Sequence, residues 1–266
     1  MNEWFGQKIY LKVILFFLLA LSGAAGNSIG SPAAKAVTLY CSRGYDTGSY
    51  IPNEKYQNFI KGIFKGHAVV FDDQQNKARI MEMLTKSAIF YTNTHSGYPS
   101  KPEDGVTEHI LQVGPAGGSD YKITALDLAQ LRRRIGEDNL PKLIIISGCS
   151  IMSGPEQGGR VLSIPEGFGI TSRTTGRALI GFASTLPGFR GDGYFRVFFA
   201  RWVNQQPDGS YLTLEQARTQ AIQYIKDWTS RNGNNDSLYM NMLNAQVGEN
   251  MVILGDASLR FSDVIQ

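Results

Sequence analysis

Apolar residues along the chain fall into two alternating patterns. Short continuous runs rich in β-branched and aromatic residues predict strands buried on both faces. They stand at Ala36–Cys41, His67–Asp72, Ala88–Thr94, Lys142–Ser147, Arg177–Ser184 and Met251–Leu254. Between them lie stretches with helical spacing, such as Asn53–Phe64, where Tyr56, Phe59, Ile60 and Ile63 share one face. Asn76–Lys86 carries an asparagine N-cap, and Thr124–Ile135 opens on Thr124 with Asp127 three residues on. Gly193–Gln206 and Thr213–Thr229 read as two further amphipathic helices. "HILQVG" and "DYKIT" predict a small hairpin around "PAGGS". The stretch from Ser150 to Gly176 is a long Gly, Ser and Thr-rich loop with a short helix expected in "EGFGITSRTTG". Strand and helix in alternation predict an α/β fold with a mostly parallel sheet, as one domain over 37–266 without repeats.

The N-terminus breaks the pattern. Lys8 and Lys12 precede the apolar run Val13–Gly26, which is short for a membrane span and ends in small residues. Residues 1–36 therefore read as a secretory leader, cut after Gly26 or Ala36, with an uncleaved anchor as the competing reading. The expected location is secreted or periplasmic, with no membrane attachment after cleavage. The leader holds three of the 26 basic side chains and one of the 23 acidic ones, so the mature formal charge falls from +3 to about +1. The pI near 8.8 thus reflects the leader in part. No nucleic-acid surface is expected, since the one basic cluster, Arg132–Arg134, ends a helix where cations suit the macrodipole.

Two of the predicted strands end in reactive residues. Ala88–Thr94 runs into His95, Ser96 and Gly97, and Lys142–Ser147 into Gly148 and Cys149. In a parallel sheet both ends lie at the edge where open α/β sheets bind ligands. Neighbouring strands about 4.8 Å apart would let an imidazole and a thiol converge on one substrate. A histidine can take the thiol proton, or hold the thiolate, and return the proton to a leaving amine. Small residues beside both groups expose backbone N–H donors for an oxyanion. The residues alone leave Cys149 open as a core thiol, as half of a disulfide with Cys41, or as a nucleophile. Three scattered histidines give zinc little support. No G-x-S-x-G turn follows any of the predicted strands, the one match to that spacing (Gly26–Gly30) falling inside the leader, and no Walker or dinucleotide glycine pattern is present.

Taken in order, further stretches resemble the caspase-like cysteine peptidases, the group of caspases, gingipains, legumains and bacterial CHAT proteases. "ITALDLAQLRRRIGEDNLPKLIIISGC", "GRALIGFASTLPGF", "YLTLEQARTQAIQYI" and "VILGDASLRF" are similar to the helix–strand–Cys unit, the following strand, the late helix and the closing strand of that group. The resemblance covers about residues 37–261 and implies a three-layer sandwich, a mostly parallel central sheet flanked by helices. It implies Cys149 as nucleophile, His95 as general base and acid, and backbone N–H groups of Ser96, Gly97 and Cys149 as the oxyanion hole. The expected substrate is a protein or peptide, and no metal or cofactor is called for. Ser184 and Thr185, with Phe189 nearby, would line the primary specificity pocket, and Asp192 is a candidate for favouring a basic P1 side chain. Two departures from the group stand beside the histidine: Ser96 where glycine is usual, and "TNT" before it. They keep open a non-catalytic scaffold on the same fold, and a disulfide-stabilised exported binding module is a further alternative. Strand order in the resembling fold opposes that disulfide, since two spacings of about 4.8 Å exceed the roughly 7 Å reach of a bridge. Cys41 reads as a core residue. Asp256 reads as a turn former at the last strand, and His67 and His109 as surface or hydrogen-bonded residues.

Overall fold

A computed structural model describes residues 35–43, 53–72, 76–97, 106–114, 118–152, 160–184, 188–232 and 237–265. The leader call over 1–36 lies outside these residues except for its last two. The elements, in chain order, are β1 (Val37–Arg43), α1 (Asn53–Ile63), β2 (Val69–Asp72), α2 (Lys77–Lys86), β3 (Ser87–Asn93) and β4 (His95–Gly97). Next come β5 (Val106–Glu108), β6 (Ile110–Gln112), β7 (Lys122–Thr124), α3 (Ala125–Ile135), β8 (Leu143–Ser147), β9 (Arg160–Leu162) and α4 (Ile164–Phe168). The chain continues through β10 (Ala178–Phe182), α5 (Gly188–Trp202), α6 (Leu214–Asn232), α7 (Ser237–Asn244), α8 (Val247–Asn250), β11 (Met251–Gly255) and α9 (Phe261–Val264).

The central sheet has the order β11-β10-β8-β3-β1-β2. Every pairing in it is parallel except β10 with β11. The continuous apolar runs are explained by burial on both faces. Leu39, Cys41, Ile89, Tyr91, Leu143, Ile145, Ile180 and Phe182 point into one core with α1, α5 and α6. Their neighbours Tyr40, Phe90, Ile144, Ile146 and Leu179 point into a second core with α2, α3 and α4. Successive strand side chains alternate faces, so a strand between two helical layers must be apolar at every position. The result is the expected three-layer α/β sandwich with a mostly parallel sheet. On the first face Phe195, Phe198, Phe199 and Trp202 of α5 are all fully buried. Each such aromatic contributes about 2–3 kcal/mol of burial.

The expected caps are in place. Asn76 accepts from the Arg79 N–H at 2.9 Å, and Thr124 and Asp127 close a capping box over the start of α3. The predicted hairpin forms as β6 and β7, with β4 pairing antiparallel on β6 as the edge of a three-stranded sheet. Three readings are corrected. The stretch from Ser150 to Gly176 holds a strand besides the expected short helix, because β9 pairs with β5. The short helix starts at Ile164, earlier than expected, where Ser163 and Glu166 make a second capping box and Pro165 sits in the first turn. Helix α5 begins at Gly188 and ends at Trp202, shifted upstream of the pattern. Its aromatic face against the sheet outweighs the low helix propensity of its glycines. Among the described residues no helix is long and apolar enough to cross a membrane.

Candidate active site

The carboxyl ends of β1, β3 and β8 line up in register, Arg43 opposite Asn93 and Asn93 opposite Ser147. Past this edge the chain segments stay joined. The Thr94 N–H donates to the Ser147 carbonyl at 3.2 Å. The Ser96 hydroxyl donates to the Cys149 carbonyl. His95 is thus bracketed by two residues bonded to the end of β8. A side chain at Gly148 is not tolerated here. Its Cβ would lie 2.7 Å from Ser96 Oγ and 2.9 Å from the Thr94 carbonyl oxygen. The turn after Cys149 is also held from the other side, where Ser150 N–H donates to the Ser184 carbonyl at 3.2 Å and Met152 N–H to the Phe182 carbonyl at 3.1 Å. Ser150 itself has φ +54°, a left-handed conformation rare outside glycine.

The expected site residues fall as follows. Cys149 is a half-buried thiol, in no disulfide, two positions beyond β8, and His95 is exposed at the start of β4. Ser96 and Gly97 follow it on the same strand, half-buried. β4 is a sheet edge, and successive N–H groups of a strand point to opposite sides. One of Ser96 and Gly97 therefore aims its N–H toward β6 and the other aims it outward, so only one of the pair can serve as an oxyanion donor. Ser184 reaches the same edge through its bond to Ser150. Thr185 and the side chain of Phe189 lie outside the described residues.

Asp192 does not fit a role as a free acidic reader of substrate. It is fully buried, its carboxylate lies 2.8 Å from the Arg43 guanidinium, and Tyr91 donates to it at 2.5 Å. A carboxylate already matched by its own arginine presents no net charge to a ligand. The same group acts on Cys41, which is fully buried within β1. Burial first, and then Asp192, hold its thiol well above the ordinary value, against the pull of Arg43. Cys41 is a core thiol, β1 lies two strands from β8, and no disulfide joins the two cysteines.

Two other residues resolve clearly. His109 is fully buried between β5 and β6, and burial lowers its pKa to about 4. It is a neutral core residue at physiological pH. Asp256 lies at the opposite edge of the sheet, since Gly255 pairs with Ala178 at the start of β10. Its carboxylate accepts from Gly176 N–H at 2.9 Å and from the backbone and hydroxyl of Ser258. Burial opposes ionisation there, but these bonds prevail and hold the carboxyl below its usual value. Asp256 is a turn former, as expected. Among the described residues no group of three His, Cys, Asp or Glu side chains could hold a metal ion.

Three features at the edge escaped sequence reasoning: the Ser96 hydroxyl on Cys149, the left-handed Ser150, and the Arg43–Asp192 pair. The third joins residues 149 positions apart, and no local pattern encodes it.

No protein-family model matches the chain, and no curated protein matches it. Among solved structures it is similar to the Arg specific cysteine proteinase gingipain R, with TM-score 0.48 and 11% sequence identity. The match covers 85% of this chain and 50% of that chain, so the chain spans half the length of the protein it matches.

Proposed function

We propose that the chain is an exported cysteine endopeptidase of the caspase-like type, with Cys149 as nucleophile and His95 as general base and acid. One observation carries the reading: the two residues flanking His95 are hydrogen-bonded to the strand end that bears Cys149, at the carboxyl edge of a mostly parallel sheet.

The chemistry follows from that placement. His95 takes the thiol proton and the Cys149 sulfur attacks the scissile carbonyl carbon. The oxyanion is met by the Cys149 N–H and by the outward-facing N–H of β4. His95 then protonates the leaving amine, the C–N bond breaks, and a thioester remains. Water, deprotonated by His95, attacks the thioester, releases the acid product and restores the thiol. Substrate enters as an extended peptide, with Ser184 among the residues beside it.

The test is a peptide library offered to intact protein and to protein nicked between 150 and 176. Cys149→Ala and His95→Ala are each expected to abolish cleavage, and the double variant to be about as inactive as either alone, because nucleophile and base act as a unit. The loss of one sulfur at a strand end costs on the order of 1 kcal/mol, so the fold persists. Wild type that cleaves nothing in either form, with a Cys149 thiol no faster than free cysteine toward iodoacetamide, overturns the reading. Export is tested by N-terminal sequencing of the mature chain, expected to begin after Gly26 or Ala36.

A further inference from the structure

We propose that the side-chain hydroxyl of Ser96 is a positioning group for the Cys149 thiol, acting by locking the Cys149–Ser150 peptide unit. As a statement about catalysis it rests on the peptidase reading; as a statement about the thiol it does not. The peptide unit between these residues is gripped at both polar ends. Its carbonyl accepts from Ser96 Oγ, and its N–H donates to the Ser184 carbonyl at 3.2 Å. One grip comes from the segment after β3 and the other from the segment after β10, so the turn is strung between two neighbours of β8.

The lock opposes a specific relaxation. With φ +54° Ser150 occupies a region that side-chain-bearing residues avoid. Rotating the Cys149–Ser150 peptide by about half a turn leaves the Cα positions nearly unchanged and brings Ser150 to negative φ. The flip reverses the carbonyl and N–H dipoles beside the sulfur and frees the backbone that carries the Cys149 N–H. The Ser96 and Ser184 bonds oppose it. Glycine at 148 leaves the room that Ser96 Oγ takes up beside the turn, since a Cβ there would lie 2.7 Å from that hydroxyl. Glycine or alanine at position 96 keeps the backbone donor and loses only this grip.

The experiment measures the rate of Cys149 alkylation by iodoacetamide as a function of pH, read by peptide mass mapping with buried Cys41 as internal control. Ser96→Ala is expected to slow alkylation about 10- to 100-fold, with Ser96→Thr close to wild type because its hydroxyl remains. Ser96→Ala combined with Ser150→Gly is expected to recover part of the loss, since glycine accepts positive φ and removes the drive to flip. Where wild type hydrolyses peptide, kcat falls with the alkylation rate and KM stays within a few-fold. If the alanine variant does not fold, amide exchange on wild type decides. The Ser150 N–H should exchange as slowly as amides inside β10. An unchanged or faster alkylation rate in folded Ser96→Ala overturns the proposal, as does a Ser150 amide that exchanges like an exposed one. Absence of peptide hydrolysis in wild type sinks the peptidase reading and leaves this test intact, because alkylation needs no substrate.

Discussion

The two edges of the central sheet handle awkward backbone in different ways. At the amino edge, where β10 starts and β11 ends, left-handed positions are glycines, as at Gly176 with φ +70° and Gly255 with φ +91°. The polar groups there close on each other through Asp256, Gly176 and Ser258. At the carboxyl edge the left-handed residue is Ser150, a charged pair is buried behind the strand ends, and the thiol of Cys149 is half-exposed. Strain and buried charge persist only where surrounding structure over-determines them, and they concentrate at working sites. One end of the sheet is built for closure, and the other holds groups that an undemanding turn would not carry.

The largest expected effect breaks the carboxyl edge from behind. Asp192→Ala leaves the Arg43 guanidinium buried with its principal counter-charge gone, and should cost about 3–5 kcal/mol in denaturant unfolding. Adding Arg43→Met should return much of that loss, because the desolvated charge is then gone. A single variant within about 1 kcal/mol of wild type would show that the pair is not what holds this edge.

Acidification comes next and acts through the small strands above the same edge. His109 titrates near 4 when folded and near 6.5 when unfolded. Above pH 6.5 it is neutral in both states and contributes no pH dependence. Below that, the unfolded chain binds a proton that the folded chain does not, so stability falls between pH 6.5 and 4. The full loss is about 3 kcal/mol. Urea midpoints of wild type and His109→Gln across that window should diverge, with the variant showing the flatter curve. Parallel curves would remove His109 as a cause.

Much of this contrast was legible in the sequence, for physical reasons that also mark where legibility stops. Both-face burial writes long apolar runs, so the strands of the central sheet could be read from single stretches such as Leu143–Ser147. The capping box at Thr124 is local and was equally plain. His95 and Cys149 stood out because each follows such a run. The strands β4, β5 and β9 have three residues each, too few to show a period. Their pairing is set by contacts far along the chain. Arg43 and Asp192 carry no sign of each other in sequence, which is why Asp192 stands there as a candidate for favouring a basic P1 side chain. Ser150 escaped because its left-handed conformation is imposed by bonds from other segments, not by its residue type.

At the amino edge Asp256→Ala should cost about 1–2 kcal/mol, the loss of a carboxylate that satisfies Gly176 and Ser258 N–H groups. The informative readout is the alkylation rate of Cys149, which should not change. A slowed thiol would mean that the two edges are coupled through β10, and the division drawn between them would fail.

The smallest effects test the contrast most directly, because they exchange its two devices. Gly176→Ala places a methyl group in open space, with nothing within 4 Å of the new Cβ. Its whole cost is therefore the backbone penalty of a side chain at positive φ, about 1 kcal/mol after the smaller entropy of the unfolded alanine chain is credited. Ser150→Gly runs the opposite way. It relieves a left-handed side-chain residue, worth about 1–2 kcal/mol, and adds unfolded-state entropy worth about 0.5–1 kcal/mol. The net should be a stabilisation between zero and about 1.5 kcal/mol. Opposite signs in paired unfolding curves would establish that the carboxyl edge holds strain that the amino edge avoids. A clear destabilisation by Ser150→Gly would mean that the serine side chain makes contacts outweighing its backbone cost, and Ser150 would then count as a stabilising residue rather than a strained one.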